Sequence, residues 1–231
     1  MDQRYDKWKT WIDPIFKETQ GVLIQRHIFV EVQGIIQANQ DIRETPSSFW
    51  EFLRNGYVTL ATMAVRRQIK IQNQSVSLAR LLGELADTPE VFSRKRFKEE
   101  HPGSWGADRF FDKFSGEGAL HIDPVPVKKD LSDLKSIARD LEAFADQRIA
   151  HLDKRTLAGS PVTVTFDELD QCLNTLEELT LKYYRLFTAH SISDILPAWQ
   201  YDWTAIFEIP WVTDLNRTRI ARSAFVIKRP S

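Results

Sequence analysis

The sequence predicts an all-α fold, an antiparallel helical bundle. Two observations carry that prediction. Apolar residues recur at spacings of three and four, as in Leu78, Leu81, Leu82 and Leu85, and again in Leu131, Leu134, Ala138, Leu141 and Ala145. Strand-like runs alternating with helices, which a parallel sheet requires, do not occur. At 231 residues and 42% hydrophobic, the chain can build one large core, with or without an appendage.

The elements follow in order. Tyr5 to Asp13 reads as a first helix, with Pro14 as a kink or as the first turn of the next. The run from Ile15 to Asn39 is helical in pattern. Within it Ile28 to Val32 is rich in strand formers, so a local strand is an alternative there, and Gly21 and Gly34 weaken the helix. Ser48 to Glu51 has the form of a capping box and opens a helix to about Lys70. Ser75 caps a helix from Val76 to Ala86, and Pro89 to Glu99 forms a short basic one. The glycine- and proline-rich stretch of about 100–128 reads as an insertion holding one short helix, Ala107 to Phe114. The helical period returns from Leu131 to Lys154. Thr165 to Glu168 is a second capping box, opening a helix to about His190. The expected core is four helices, roughly 15–39, 48–70, 131–154 and 166–190, with 76–86 beside them. This gives a bundle over 1–190 and an extension over 191–231. Trp199, Tyr201, Trp203, Phe207 and Trp211 in the extension are too apolar for a free tail and are expected to dock on the bundle. Its end carries Arg217, Arg219, Arg222, Lys228 and Arg229 and is expected to be mobile.

Charge excludes some classes. With 31 basic and 32 acidic residues the net charge is −1, so any basic surface must be local. The lone cysteine, Cys172, forbids an intrachain disulfide and suits a reducing cytoplasm. It follows Leu169 by three and precedes Leu176 by four, which puts it on a core stripe and makes it a poor nucleophile. No run approaches roughly 18 apolar residues, so no membrane span is expected. His101 and the His121-x-Asp123 pair lack a recognised ligand spacing, and there is no glycine-rich phosphate loop; neither a metal nor a cofactor is expected.

The chemistry concentrates in Arg148-Ile149-Ala150-His151-Leu152-Asp153-Lys154-Arg155. Arg supplies a permanent charge and a donor fork that fits phosphate, and His titrates near neutral pH. On a regular helix Arg148 falls inside the apolar arc, between Phe144 and Leu141 in projection, where a buried charge must find a partner. Arg148 and His151 are neighbours three residues apart. Asp146 and Glu142 project to the far side. Arg66, Arg67 and Lys70 are expected near the same cleft. Arg94-Lys95-Arg96-Phe97-Lys98 reads as a solvated helix face, with phosphate binding as the second reading.

The Arg148–Lys154 string resembles the end of the third core helix of HEPN domains. Its Ala-His-x-Asp ending is especially similar to that of the abortive-infection U-type subgroup. Met63 to Arg67 and Ser75 to Leu82 resemble that subgroup's second helix and its continuation, and Phe166 to Phe187, with Tyr183 and Tyr184 near its end, resembles the fourth. The resemblance covers about 15–190. It implies a four-helix up-and-down bundle, often dimeric, whose active members cleave RNA without metal. The Arg and His of such members have four to six residues between them. Here those positions are Phe144, Ala145 and Asp146, none an arginine, so His151 carries over, while Arg148 leaves only two residues between itself and His151. The resemblance implies His151 as general acid/base and Arg148 as phosphate contact. Arg66, Arg67, Lys154 and Arg155 are the candidate nucleic-acid contacts. The expected role is a toxin or antiphage RNase, with RNA, a cognate antitoxin protein and a second copy as partners. The alternative is a non-catalytic module that binds nucleic acid, a nucleotide or a partner protein.

Overall fold

The computed structural model describes residues 3–102, 106–150 and 162–209. It is all-α, with no strand among the described residues. The chain divides into two compact units, Met1–Leu196 and Pro197–Ser231. The boundary falls six residues beyond the expected one because Ile195 is buried in the first unit, where its carbonyl accepts from Gln20 Nε2 at 2.7 Å.

Helix α1, Gln3–Ala38, runs unbroken through Pro14 and through the segment read as a possible strand. Proline inside a helix costs about 3 kcal/mol. Burial outweighs it here. Tyr5, Trp8, Ile12, Ile15, Thr19 and Val22 are all buried, at spacings of three and four on both sides of Pro14. A kink would take one set off the core. A short helix α2, Gln40–Glu44, leads to α3, Ser48–Ile69. The cap of α3 is Ser47, not Ser48; its hydroxyl accepts from Phe49 N, and Trp50 occupies the third helical position, so the expected capping box is absent. Helix α4, Leu78–Asp87, is likewise capped by Ser77, not Ser75.

The region read as an insertion is tied into the core. A 3-10 turn, Pro89–Val91, precedes α5, Arg94–Glu100, and α6, Ala107–Ser115. An isolated bridge joins Ser93 to His121, and Phe92, Phe97, Phe111 and Ile122 are buried. Arg94 donates to the Ala119 carbonyl and to Asp108 and Asp112, and its guanidinium lies over the Phe111 ring. Arg96 pairs with Asp6 and Glu100. The basic run is therefore not a plain solvated face: two of its arginines hold the fold. The insertion also ends earlier than expected. Asp123 caps α7, Pro124–Ile137, with Pro124 in the first turn, where its missing N–H is harmless.

The third core segment is not one helix. Ala138, at φ −89° and ψ 0°, interrupts it; α8, Arg139–Phe144, follows, and the segment widens into a π turn, Ala145–Ala150. Helix α9, Phe166–Thr188, opens on the expected capping box: the Thr165 hydroxyl accepts from Glu168 N, and the Glu168 carboxylate accepts from Thr165 N.

Cross-helix pairs fix the directions. Against α1, Phe16 meets Tyr184, Thr19 meets Thr180 and Arg26 meets Glu177, so α9 runs antiparallel to it. Glu18 with Arg67 and Phe29 with Tyr57 set α3 antiparallel to α1. Lys70 with Glu142 and Arg66 with Asp146 set the α8–π segment antiparallel to α3. Asp130 with Tyr183, and Ile137 with Cys172, set α7 antiparallel to α9. Successive long segments thus alternate in direction, and α4 packs mainly on α7. Below α1, Glu84 accepts from Lys7 and Trp8 and pairs with Arg80. Burial raises its pKa, but those hydrogen bonds and charges outweigh burial and hold it below the ordinary carboxylate value.

Cys172 sits on the core stripe as expected, and burial pushes its thiol up to about 11. Its Sγ donates to the Ile137 carbonyl at 3.1 Å. In native protein it should react with Ellman's reagent only as fast as the bundle opens. Full labelling within minutes, without denaturant, would contradict this packing.

In the second unit Asp202 caps a 3-10 turn, Trp203–Glu208, and Trp203 contacts both Trp199 and Phe207 ring to ring. Trp211 and the basic residues Arg217 to Arg229 lie outside the described residues.

Candidate nucleic-acid interface

The π turn changes where the side chains of the third core segment point. A π turn closes i→i+5 bonds, and so slips the face by one residue relative to an α-helix. Ala145 and Gln147 are buried, and Arg148 is exposed. The expectation that Arg148 lies inside the apolar arc is therefore corrected. The break at Ala138 and the widened turn rotate it out to solvent, and it has no ion pair among the described residues. Gln147 Oε1 accepts from Val162 N at 3.2 Å, which pins the turn close to the start of α9. His151, Lys154 and Arg155 lie outside the described residues.

Arg66 and Arg67 each meet a carboxylate. Arg66 Nε and Nη2 donate to Asp146 Oδ1 at 2.9 and 2.6 Å, and Arg67 donates to Glu18. Lys70 pairs with Glu142 at 2.6 Å. Asp146 and Glu142, placed by the sequence on the far side, are the residues that hold the third segment to α3. Arg66 thus meets the π turn at Asp146, two residues before Arg148 in the chain. His121 Nδ1 lies 3.0 Å from the Ile122 carbonyl, and no His, Cys, Asp and Glu group fit for a metal occurs among the described residues.

The antiparallel register brings three pieces to one end of the bundle: the C-terminal half of α1, the N-terminal half of α3 and the start of α9. At that end Phe29, Tyr57 and Phe166 form a stack. Phe29 and Tyr57 lie 4.2 Å apart at 10°, and Phe166 is nearly parallel to both. The stack borders a recess of about 300 Å³, also lined by Gln33, Arg54 and Asp170. Tyr57 is 6% exposed; burial, then the charge of Asp170, pushes its phenol up to about 12. Sequence reasoning missed this recess. Phe29 sat in a stretch assigned to core or strand, and Phe166 read as no more than the residue after a cap. The available signal was an excess of apolar side chains at positions that a bundle leaves outside: Val30, Phe52, Leu60 and Phe166 are 53%, 70%, 54% and 42% exposed.

No family model matches the chain, and no curated protein or solved structure matches it. No helix among the described residues is long and apolar enough to cross a membrane.

Proposed function

We propose that this bundle is an RNA-directed protein of the HEPN kind, acting as a toxin or antiphage ribonuclease, with its reactive site where the third core segment ends. The observation that carries this is the π turn, which sets Arg148 in solvent three residues before His151. Single π turns inside α-helical segments are frequent at functional sites. In this reading His151 accepts the proton of an RNA 2′-hydroxyl as its oxygen attacks phosphorus. The bond to the 5′-oxygen breaks, and that oxygen takes a proton from the imidazolium. The guanidinium of Arg148 lies against the charge that builds on the phosphoryl oxygens. A second copy facing the first would pair two such ends.

The test is cleavage of single-stranded RNA by the wild type, His151→Ala and Arg148→Ala. His151→Ala should lose roughly 10²–10⁴ of the rate. The reading fails if the wild type cleaves no RNA and His151→Ala leaves any cellular toxicity unchanged. A second reading, a binding module without cleavage, draws support from the aromatic recess, whose lining residues are distinct from the two cast in catalysis. Wild type that binds RNA without cutting it would favour that reading.

A further inference from the structure

The recess between α1, α3 and α9 has three properties that packing alone does not require. Its floor is a ledge of near-parallel rings, and the ring that closes it, Phe166, is 42% exposed. Its rim holds Arg54, Gln33 and Asp170, none of whose side chains has an ion-pair or hydrogen-bond partner among the described residues. Some other charges on the same helices are matched: Arg26 with Glu177, Arg66 with Asp146, Arg67 with Glu18. Tyr57 is 6% exposed and lines the recess through its ring, and its hydroxyl is buried with no hydrogen-bond partner among the described residues.

We infer that the recess is a binding site for a guanine nucleotide, with the base stacked on the Phe29–Tyr57–Phe166 ledge, Asp170 on its donor edge and Arg54 on its phosphate. The volume is at the lower end of the range for small-ligand sites, roughly 300–1,000 Å³. A ring ledge accepts any flat base, because every base has a π face. Choice among bases then falls to the polar rim. Guanine alone presents two adjacent donors, N1–H and the N2 amino group, on its Watson–Crick edge, and a carboxylate accepts both side by side. Adenine and cytosine each set a donor next to an acceptor, and uracil sets a single donor between two carbonyls. The carboxylate therefore selects against these three. The Gln33 amide supplies a donor for guanine O6. Arg54, exposed at the rim, fits a phosphate as a bidentate fork. This deepens the proposed function, and rests on it only for whether the base arrives in a strand or as a free nucleotide.

Calorimetric titration of the full chain with GMP, AMP, CMP, UMP and guanosine tests it. GMP should bind about tenfold or more tighter than AMP, the discrimination of one good bidentate contact. Asp170→Asn should remove that preference. Phe166→Ala, at a half-exposed position that leaves the core intact by circular dichroism, should weaken GMP by about tenfold or more. Arg54→Ala should weaken GMP while leaving guanosine unchanged. A guanine-containing oligoribonucleotide that displaces GMP marks the strand as the source. GMP binding that no oligonucleotide displaces marks the free nucleotide, and supports the recess while removing it from the RNA reading. Equal binding of all four nucleotides, affinities untouched by Asp170→Asn and Phe166→Ala, or an apolar peptide that binds the recess while GMP does not, would each overturn the proposal. Cleavage that depends on His151 with no GMP binding would sink this inference alone.

Discussion

Trp8→Ala should lower the unfolding free energy by about 3–5 kcal/mol, the range for removing a large aromatic from a packed core. Trp8 is 0% exposed, and its indole is the largest fully buried side chain on α1. The truncation has two parts. It leaves a cavity the size of an indole between α1 and α4, and it takes from Glu84 a donor 2.6 Å away. Domains of this kind are stable by roughly 5–15 kcal/mol in all, so the variant would stand near the edge of folding at 37 °C. Urea unfolding followed by tryptophan fluorescence measures it, with the midpoint falling and the slope unchanged. Trp8→Phe separates the parts. It keeps most of the volume and loses only the N–H, and should cost about 1.5–3 kcal/mol, as for a hydrogen bond to a charged group. A Trp8→Ala loss under about 1 kcal/mol would mean that α1 is not seated on α4 as described.

The second large effect is expected at Asp130. Its Oδ2 accepts from the Tyr183 hydroxyl at 2.7 Å and from Lys182 Nζ at 2.6 Å, joining α7 to α9. Tyr183 is 1% exposed. Burial, then the hydrogen bond and charge of Asp130, drive its phenol far above the ordinary range, so it remains a donor at every pH the fold survives. Asp130→Ala leaves that hydroxyl buried without a partner and should cost about 2–3 kcal/mol, near the top of the range for an orphaned group. Tyr183→Phe removes the donor instead and should cost only about 1 kcal/mol. The double variant should then cost less than the sum of the two, by a coupling of about 0.5–3 kcal/mol. Additive losses would show that the two side chains do not meet.

How far the sequence foretold this fold depends on how local each cause is. The Thr165–Glu168 box is a contact within one turn, and it formed as read. The leucines at 78, 81, 82 and 85 describe a face on their own, and that face is buried. Ser47 and Ser77 outcompeted Ser48 and Ser75 because the frame of each helix is set by what its apolar face meets, not by the nearest hydroxyl. Pro14 argued for a break, and lost to buried residues on either side whose partners lie in α4 and α9, far along the chain. The candidate site shows the same limit. Arg148 and Arg66 could be recognised as cations with work to do. The interruption at Ala138 and the π turn could not be read from apolar spacing, which is nearly the same for a helix that slips one residue and one that does not. The aromatic recess draws on three helices, and only the bundle's register brings Phe29, Tyr57 and Phe166 together.

The partners of α1 also order events in time. Thr19 waits for Thr180 and Arg26 for Glu177, contacts that span 161 and 151 residues of chain. At a ribosomal pace of about 5–20 residues per second, α1 is made on the order of ten seconds before α9 can cover it. Through that interval its row of Trp8, Trp11, Ile12 and Ile15 faces water or a chaperone. A nascent chain stalled before Phe166 should therefore bind holdases through its first helix and let go once α9 emerges.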